Sequence, residues 1–190
     1  MILIKKWSKE IHIKVNIMRT STFNHKYFKY ILNKDMITAD MTMGNGNDTF
    51  FLANHSKYVY AFDIQEEAMI NTKKRCKDFD NIEYILDDHQ NIKNYVHDKL
   101  DVVMFNLGFL PGSDSKLHST PSSTIKAIEA SYDLLNNGGY LSLMIYRGHE
   151  GGLKEYYEIN KLIKDNNYHI IEKYLSYTSL VEPILYIIKK

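Results

Sequence analysis

With 190 residues, 44% of them apolar, the chain suits one domain able to bury a substantial core, which excludes a disordered or fibrous protein. Its formal net charge of +1 excludes a global nucleic-acid signature, and its one cysteine, Cys76, excludes an intramolecular disulfide. No apolar run nears the ~18–20 residues of a membrane span, and the opening Met1–Ile4 is too short for a secretory signal, so a cytoplasmic protein is expected.

Charge is unevenly spread. Lys5, Lys6, Lys9, Lys14, Arg19, Lys26 and Lys29 crowd the first thirty positions against the single acid Glu10. Residues 1–18, alternating Ile and Lys, read as a basic N-terminal extension that either steers a polyanion or is a solvated end, and residues 19–190 read as the domain. Phe23, Tyr27, Tyr30 and Ile31 recur at helical spacing and predict a short amphipathic helix. A strand is expected over Met36–Met41, a helix over Asp48–Asn54, a strand over Tyr58–Asp63 and a helix over Glu66–Lys77. Strand Ile82–Leu86 follows, then a short helix over Asn91–Asp98. Asp101–Asn106 is a continuous apolar run, as expected of a strand buried on both faces. A loop over about 107–121 leads to a helix over Ser122–Leu135, stopped by Asn136-Asn-Gly-Gly139. Strand Tyr140–Tyr146 and a helix over Leu153–Asn166 come next. The last two runs, His169–Ser176 and Pro183–Ile188, have no helix between them and must pair antiparallel.

Five βα units and a final strand pair predict an α/β fold: a doubly wound, mostly parallel seven-stranded sheet with a C-terminal antiparallel hairpin. A dinucleotide-binding fold would keep inserting helices between parallel strands. The terminal hairpin is the departure shown by Rossmann-like class I methyltransferases.

Asp40-Met-Thr-Met-Gly-Asn-Gly-Asn-Asp-Thr49 follows the first strand directly. Gly44 and Gly46 let the backbone turn tightly and approach a ligand. Asp63 closes the next strand, where an open α/β sheet puts the acid that grips a ribose. Thr49 stands where a dinucleotide site wants Gly or Ala, and Asp40 and Asp48 bracket the loop with charge that repels a pyrophosphate. The two acids suit a ligand carrying an ammonium and a sulfonium. S-adenosylmethionine has both, with a ribose for Asp63 and no phosphate. The plainer alternative has Asp40 and Asp48 capping the strand exit and the helix start.

In open sheets ligands collect beyond the carboxyl ends of the strands, and five such ends carry polar or glycine residues: Asp40–Asp48, Asp63–Gln65, Asp87–His89, Asn106–Gly112 and Tyr146–His149. The Asn106 carbonyl can accept a hydrogen bond from a substrate amine and aim its lone pair at a methyl carbon, or Asn106 is a strand-end turn residue. Asp88 and His89 are placed to meet an adenine. Phe109 either stacks on a flipped base or anchors its loop. Tyr146 can orient an acceptor amine, Arg147 can reach the acceptor side, and His149 is the candidate to remove the amine's proton. His12, His25, His55, His97, His118 and His169 show no metal-ligand spacing, so no metal is expected.

These motifs resemble those of small bacterial class I methyltransferases once labelled rRNA methylases, whose characterised members methylate 5-aminomethyl-2-thiouridine at the tRNA wobble position. The likeness rests on Thr42-Met-Gly-Asn-Gly-Asn-Asp-Thr49 with Phe51-Leu-Ala53, on Tyr60-Ala-Phe-Asp-Ile-Gln65 and on Phe105-Asn-Leu-Gly-Phe-Leu-Pro111. It continues in Ser123-Thr-Ile-Lys-Ala-Ile128 and in Tyr146-Arg-Gly-His149 followed by Gly152, and covers about residues 19–190. By position, the resemblance implies that Thr42, Gly44, Asn45, Gly46, Asn47 and Asp48, with Asp63, Gln65, Asp88, His89 and Leu107, bind S-adenosylmethionine. It implies Asn106, Tyr146 and His149 as the catalytic residues where cofactor and acceptor meet. The implied partner is tRNA at its anticodon region, with the oligomeric state open, a homodimer included.

Two departures stand out. Ser113-Asp-Ser-Lys116 replaces the family's Gly-Asp-Lys, and Tyr177-Thr-Ser-Leu180 replaces an amide-rich run near the C-terminus. They leave the acceptor open between the wobble amine and another RNA base or a small-molecule amine. A catalytically silent cofactor- or RNA-binding module is the reading from a different class.

Overall fold

The computed structural model describes residues 3–4, 11–12, 18–108, 121–148, 151–175 and 183–190. Two short strands, β1 (Leu3–Ile4) and β2 (Ile11–His12), pair with each other and with no strand of the main sheet. Helix α1 (Thr20–Lys29) buries Thr20, Asn24 and Phe28, one residue per turn, and places Lys26 and Lys29 in its last turn, where cations complement the helix dipole. Then follow β3 (Ile37–Asp40), α2 (Asn47–His55), β4 (Tyr58–Asp63), α3 (Glu66–Arg75) and β5 (Ile82–Leu86), all close to their predicted bounds.

The helix predicted at Asn91–Asp98 is a 3-10 helix over His89–Asn94 instead. The Asp88 side chain accepts the Gln90 N–H at 3.0 Å, and the Asn91 N–H returns to the Asp88 carbonyl at 2.9 Å. That i→i+3 closure winds the segment too tightly for an α-helix. Next come β6 (Leu100–Leu107), α4 (Pro121–Leu134), β7 (Leu135–Ile145), α5 (Gly152–Asp165), β8 (His169–Leu175) and β9 (Ile184–Lys189). A second difference lies at Asn136–Gly139, expected as the glycine stop of the preceding helix before a strand at Tyr140. It is an irregularity inside β7: Leu100 opposes Leu135, yet Val102 opposes Tyr140. Gly138, at φ 85, makes the bend and donates its N–H to the Lys190 carbonyl at 2.9 Å.

The sheet order is β5-β4-β3-β6-β7-β9-β8. Its first five strands are parallel, and β9 runs antiparallel between β7 and β8. The terminal hairpin therefore forms as the missing helix required, but its second strand takes the inner place. Helices cover both faces. Phe28 of α1 and Leu52 of α2 share one core with Val102, Met104 and Leu185 of the sheet, while Ile128 of α4 and Ile159 of α5 share the other with Val103, Phe105 and Tyr186. Alternate residues of β6 thus enter opposite cores, which explains its unbroken apolar run. Burying each of these large side chains contributes about 1.5–3 kcal/mol. The chain leaves β3 to one side for β4 and returns to its other side as β6, so the crevice of a doubly wound sheet opens at the carboxyl ends of β3 and β6. No helix among the described residues is long and apolar enough to cross a membrane.

Candidate active site

Between β3 and α2 the chain turns on Gly44 (φ 49) and Gly46 (φ 76). A Cβ on Gly46 would come within 3.0 Å of the Thr72 Cα, so the space it leaves is taken by α3. Gly46 is not among the residues that border the cleft. Gly44 does border it. Its N–H donates to Asp63 Oδ2 at 2.9 Å, and its carbonyl accepts the Thr72 hydroxyl at 3.0 Å. The Asn45 carbonyl accepts Arg75 Nε at 2.6 Å. Helix α3 thereby fixes the loop in advance of any ligand, which lowers the ordering cost of binding.

The two loop acids do different work. Asp40 is fully buried and accepts the Thr49 hydroxyl at 2.6 Å and the Thr42 N–H at 3.1 Å. It ties strand exit to helix start and does not line the cleft, so the capping alternative describes it and the ligand-facing one does not. Burial, then repulsion from Asp48, raises its pKa to about 7.

Asp48 lines the cleft from the first turn of α2. Its Oδ1 lies 2.5 Å from His25 Nε2 on α1, and its Oδ2 accepts the Asn106 amide NH₂ at 3.3 Å. His25 stacks flat on Phe51, with centroids 4.2 Å apart and planes within 5°. The Asn106 backbone N–H donates to the Thr42 hydroxyl at 2.8 Å. With its NH₂ committed to Asp48, Asn106 has its amide oxygen left as an acceptor.

At the end of β7 the Tyr146 ring closes over Gly108, where a Cβ would come within 3.0 Å of Tyr146 Cδ2. Arg147 turns the other way, its guanidinium 5.9 Å from the Tyr156 ring centroid, and does not line the cleft as expected. Asp63 accepts the N–H groups of Gly44 and Gln65; burial raises its pKa against their opposing pull. His89 is 5% exposed and donates Nδ1–H to the Met41 carbonyl at 3.2 Å, leaving Nε2 buried with no hydrogen-bond partner. Burial lowers its pKa, so the ring is neutral and Nε2 is an acceptor at the cleft wall.

One cleft of about 1290 Å³ collects these groups. Of the residues singled out from the sequence, Thr42, Gly44, Asn45, Asn47, Asp48, Asp63, Gln65, Asp88, His89, Asn106, Leu107 and Tyr146 border it. His149, Phe109 and Tyr177–Leu180 lie outside the described residues. Sequence reasoning missed His25, Phe51 and Glu155, together with the edge of α1 formed by Arg19, Thr22, Lys26 and Lys29. Nothing local in the sequence marks His25, because Asp48 reaches it only through the docking of α1. Glu155 accepts the Thr124 hydroxyl at 2.8 Å and so joins α5 to α4, which places Thr124 of the Ser123–Ile128 motif. Among the described residues no group of His, Cys, Asp and Glu could hold a metal ion.

The family model described as "Putative rRNA methylase" matches residues 59–189. The chain is 31% identical to a protein of Arabidopsis thaliana described as "tRNA (mnm(5)s(2)U34)-methyltransferase, chloroplastic", over 69% of this chain and 54% of that one. It spans about half the length of the curated relatives it matches. Among solved structures it is similar to an rRNA-methylase, so described with the word "putative", from Clostridium thermocellum, at 34% identity and a TM-score of 0.84. It is similar also to a methyltransferase, described in the same way, from Streptococcus mutans in complex with SAH, at 36% identity and a TM-score of 0.82. Each likeness covers 92% of this chain and 99% of the other.

Proposed function

Since this chain belongs to the family described as "Putative rRNA methylase", with the Rossmann-like class I methyltransferase fold, we propose that it N-methylates the aminomethyl group of 5-aminomethyl-2-thiouridine at the tRNA wobble position. Its cofactor is S-adenosylmethionine, which when bound supplies an electrophilic methyl group on a sulfonium. The residues of the cleft fit it. His89 Nε2 is a buried acceptor in want of a donor, as an adenosine group provides. The Asp63 oxygens, each already accepting one backbone N–H, keep lone pairs for ribose hydroxyls. The loop Thr42–Asp48, with Gln65, Asp88 and Leu107, would complete the binding wall. About 1290 Å³ exceeds the ~300–1,000 Å³ that commonly encloses one small ligand, which leaves room for a nucleoside beside the cofactor.

The observation that carries the reading is the Asn106 amide. Asp48 holds its NH₂ and Thr42 its backbone N–H, so the carbonyl oxygen is fixed as an acceptor for an amine N–H at the cleft. An amine so held has its lone pair oriented, which is most of what in-line methyl transfer asks of a protein. Tyr146, set by Gly108, would help to position the acceptor and exclude water. RNA as the acceptor's carrier is supported by the Arabidopsis relative's description and by Arg19, Lys26 and Lys29 at the cleft edge.

The test is to give the purified protein tRNA bearing unmethylated aminomethyl-thiouridine and to analyse the nucleosides by mass spectrometry. Methyl incorporation into that nucleoside is expected, together with its unmethylated form accumulating in cells that lack the gene. Proven cofactor binding with no incorporation would move the acceptor to another RNA base or a small-molecule amine.

A further inference from the structure

We propose that His25, held by Asp48, is the base that takes the proton from the acceptor amine. This rests on the amine reading of the acceptor above. An alkylamine reaches the site mainly as an ammonium, because such amines titrate near ~10, and the ammonium has no lone pair with which to attack. The Asn106 amide is not basic enough to receive a proton, and the Tyr146 hydroxyl is a poor base while neutral. An imidazole has the right chemistry.

Four observations single out His25. Its Nε2 lies 2.5 Å from Asp48 Oδ1, the arrangement in which a carboxylate fixes the ring tautomer with the proton on the carboxylate side. Nδ1 has no partner among the described residues, so it is the nitrogen that carries the free lone pair. The flat stack on Phe51 locks the ring plane, a restraint that a solvated surface histidine lacks. The same Asp48 holds Asn106 by its other oxygen, so one carboxylate alone separates the proposed amine-positioning amide from the imidazole. Asp48 acts through the ring and is a positioning residue. The charged or titratable groups that line the same cleft include Arg19, Lys26 and Lys29 along α1, His55 on α2 and Glu155 on α5, and Asp40 lies near Asp48.

The step balances. One N–H bond of the alkylammonium breaks and an N–H bond forms at His25 Nδ1, which makes an imidazolium against the Asp48 carboxylate. The freed lone pair forms the N–CH₃ bond as the S–CH₃ bond breaks, with that bond's electron pair staying on sulfur. The product leaves as a secondary ammonium, and the imidazolium passes its proton to water.

Two measurements test this. Ring ¹⁵N NMR of the wild-type protein without ligands is expected to show His25 protonated at Nε2 and bare at Nδ1; a proton on Nδ1 overturns the proposal without need of a variant. Methylation of the aminomethyl tRNA is then followed across pH for wild type and His25→Gln, with cofactor affinity measured by calorimetry. A loss of about 10²–10³-fold in kcat near pH 7 is expected at unchanged cofactor affinity, with the gap closing as pH rises and the amine loses its proton unaided. A gap of the same size at every pH overturns the proposal and leaves His25 a structural support for Asp48. A closing gap in His149→Gln and none in His25→Gln overturns it in favour of His149. A wild type that binds cofactor yet never methylates the aminomethyl nucleoside sinks the acceptor reading and this proposal together, whereas the other failures spare that reading.

Discussion

Asp40 keeps a carboxyl where no water reaches it, and its ionisation is therefore tied to folding. An ordinary carboxyl titrates near 3.8, whereas burial and Asp48 raise that of Asp40 to about 7. Between about pH 4 and 7 the folded state holds a proton that the unfolded chain has released, so stability falls as pH rises through this window and levels off above it. Asp40→Asn has no proton to lose. Its melting temperature relative to wild type should climb from pH 5 to pH 8, as calorimetry would record; parallel curves would place the titration elsewhere. Asn106 carries a different expectation. If Asn106 orients the acceptor as proposed, Asn106→Ala should lower kcat by about 10²-fold or more with little change in S-adenosylmethionine affinity. Near-normal turnover would make it a structural residue. The spacing of Asp40 and Asp48 marked both as candidates, but spacing does not say which carboxylate faces solvent. Thr49 and Thr42 settle that by enclosing Asp40. His25 was illegible for the converse reason: its stack and its hydrogen bond exist only after α1 has docked on α2.

At the scale of elements, α1 presents Arg19, Thr22, Lys26 and Lys29 along one exposed edge, spaced as a single helical stripe beside the cleft. Among the described residues none of these cations pairs with an acid. If they meet phosphates, the double variant Lys26→Ala/Lys29→Ala should weaken tRNA binding most at low salt. Every lysine–phosphate pair so removed should flatten the slope of log affinity against log salt by about 0.7–0.9. Filter binding at several salt concentrations would measure it, and an unchanged slope would remove α1 from the RNA path. The strands and most helices were legible because their periodicity is local. The 3-10 helix at His89–Asn94 was not, because Asp88 side-chain bonding tightens it against its own helical pattern. Nor was the irregular start of β7, which depends on Lys190 at the far end of the chain bonding Gly138 and Gly139.

For the molecule as a whole, the closing antiparallel hairpin followed from one legible fact, the lack of a helix between the last two strands. Which of the two sits inside was not legible, since both are apolar and only burial ranks them: β9 is buried along Ile184–Ile188, whereas β8 is largely half-exposed. The N-terminal segment bears on stability in a way that can be measured. Among the described residues, strands β1 and β2 pair only with each other, while the Met18 carbonyl accepts the Tyr174 hydroxyl at 2.7 Å. A chain beginning at Met18 should therefore keep its melting temperature and its cofactor affinity, and show any loss only in RNA binding. A truncated protein that cannot bind cofactor would make residues 1–17 part of the domain.

The inner place of β9 also sets the order in which a ribosome can deliver a finished fold. Strand β8 leaves the exit tunnel before β9, yet among the described residues β9 is its sole neighbour in the sheet. Until residues 184–189 emerge, β8 has nowhere to dock, and β7 offers Leu141, Leu143 and Ile145 along an open edge that would invite chaperones or other chains. A nonsense codon just after Leu175 would thus leave far more than a missing outer strand: it would arrest the nascent protein in its most adhesive state.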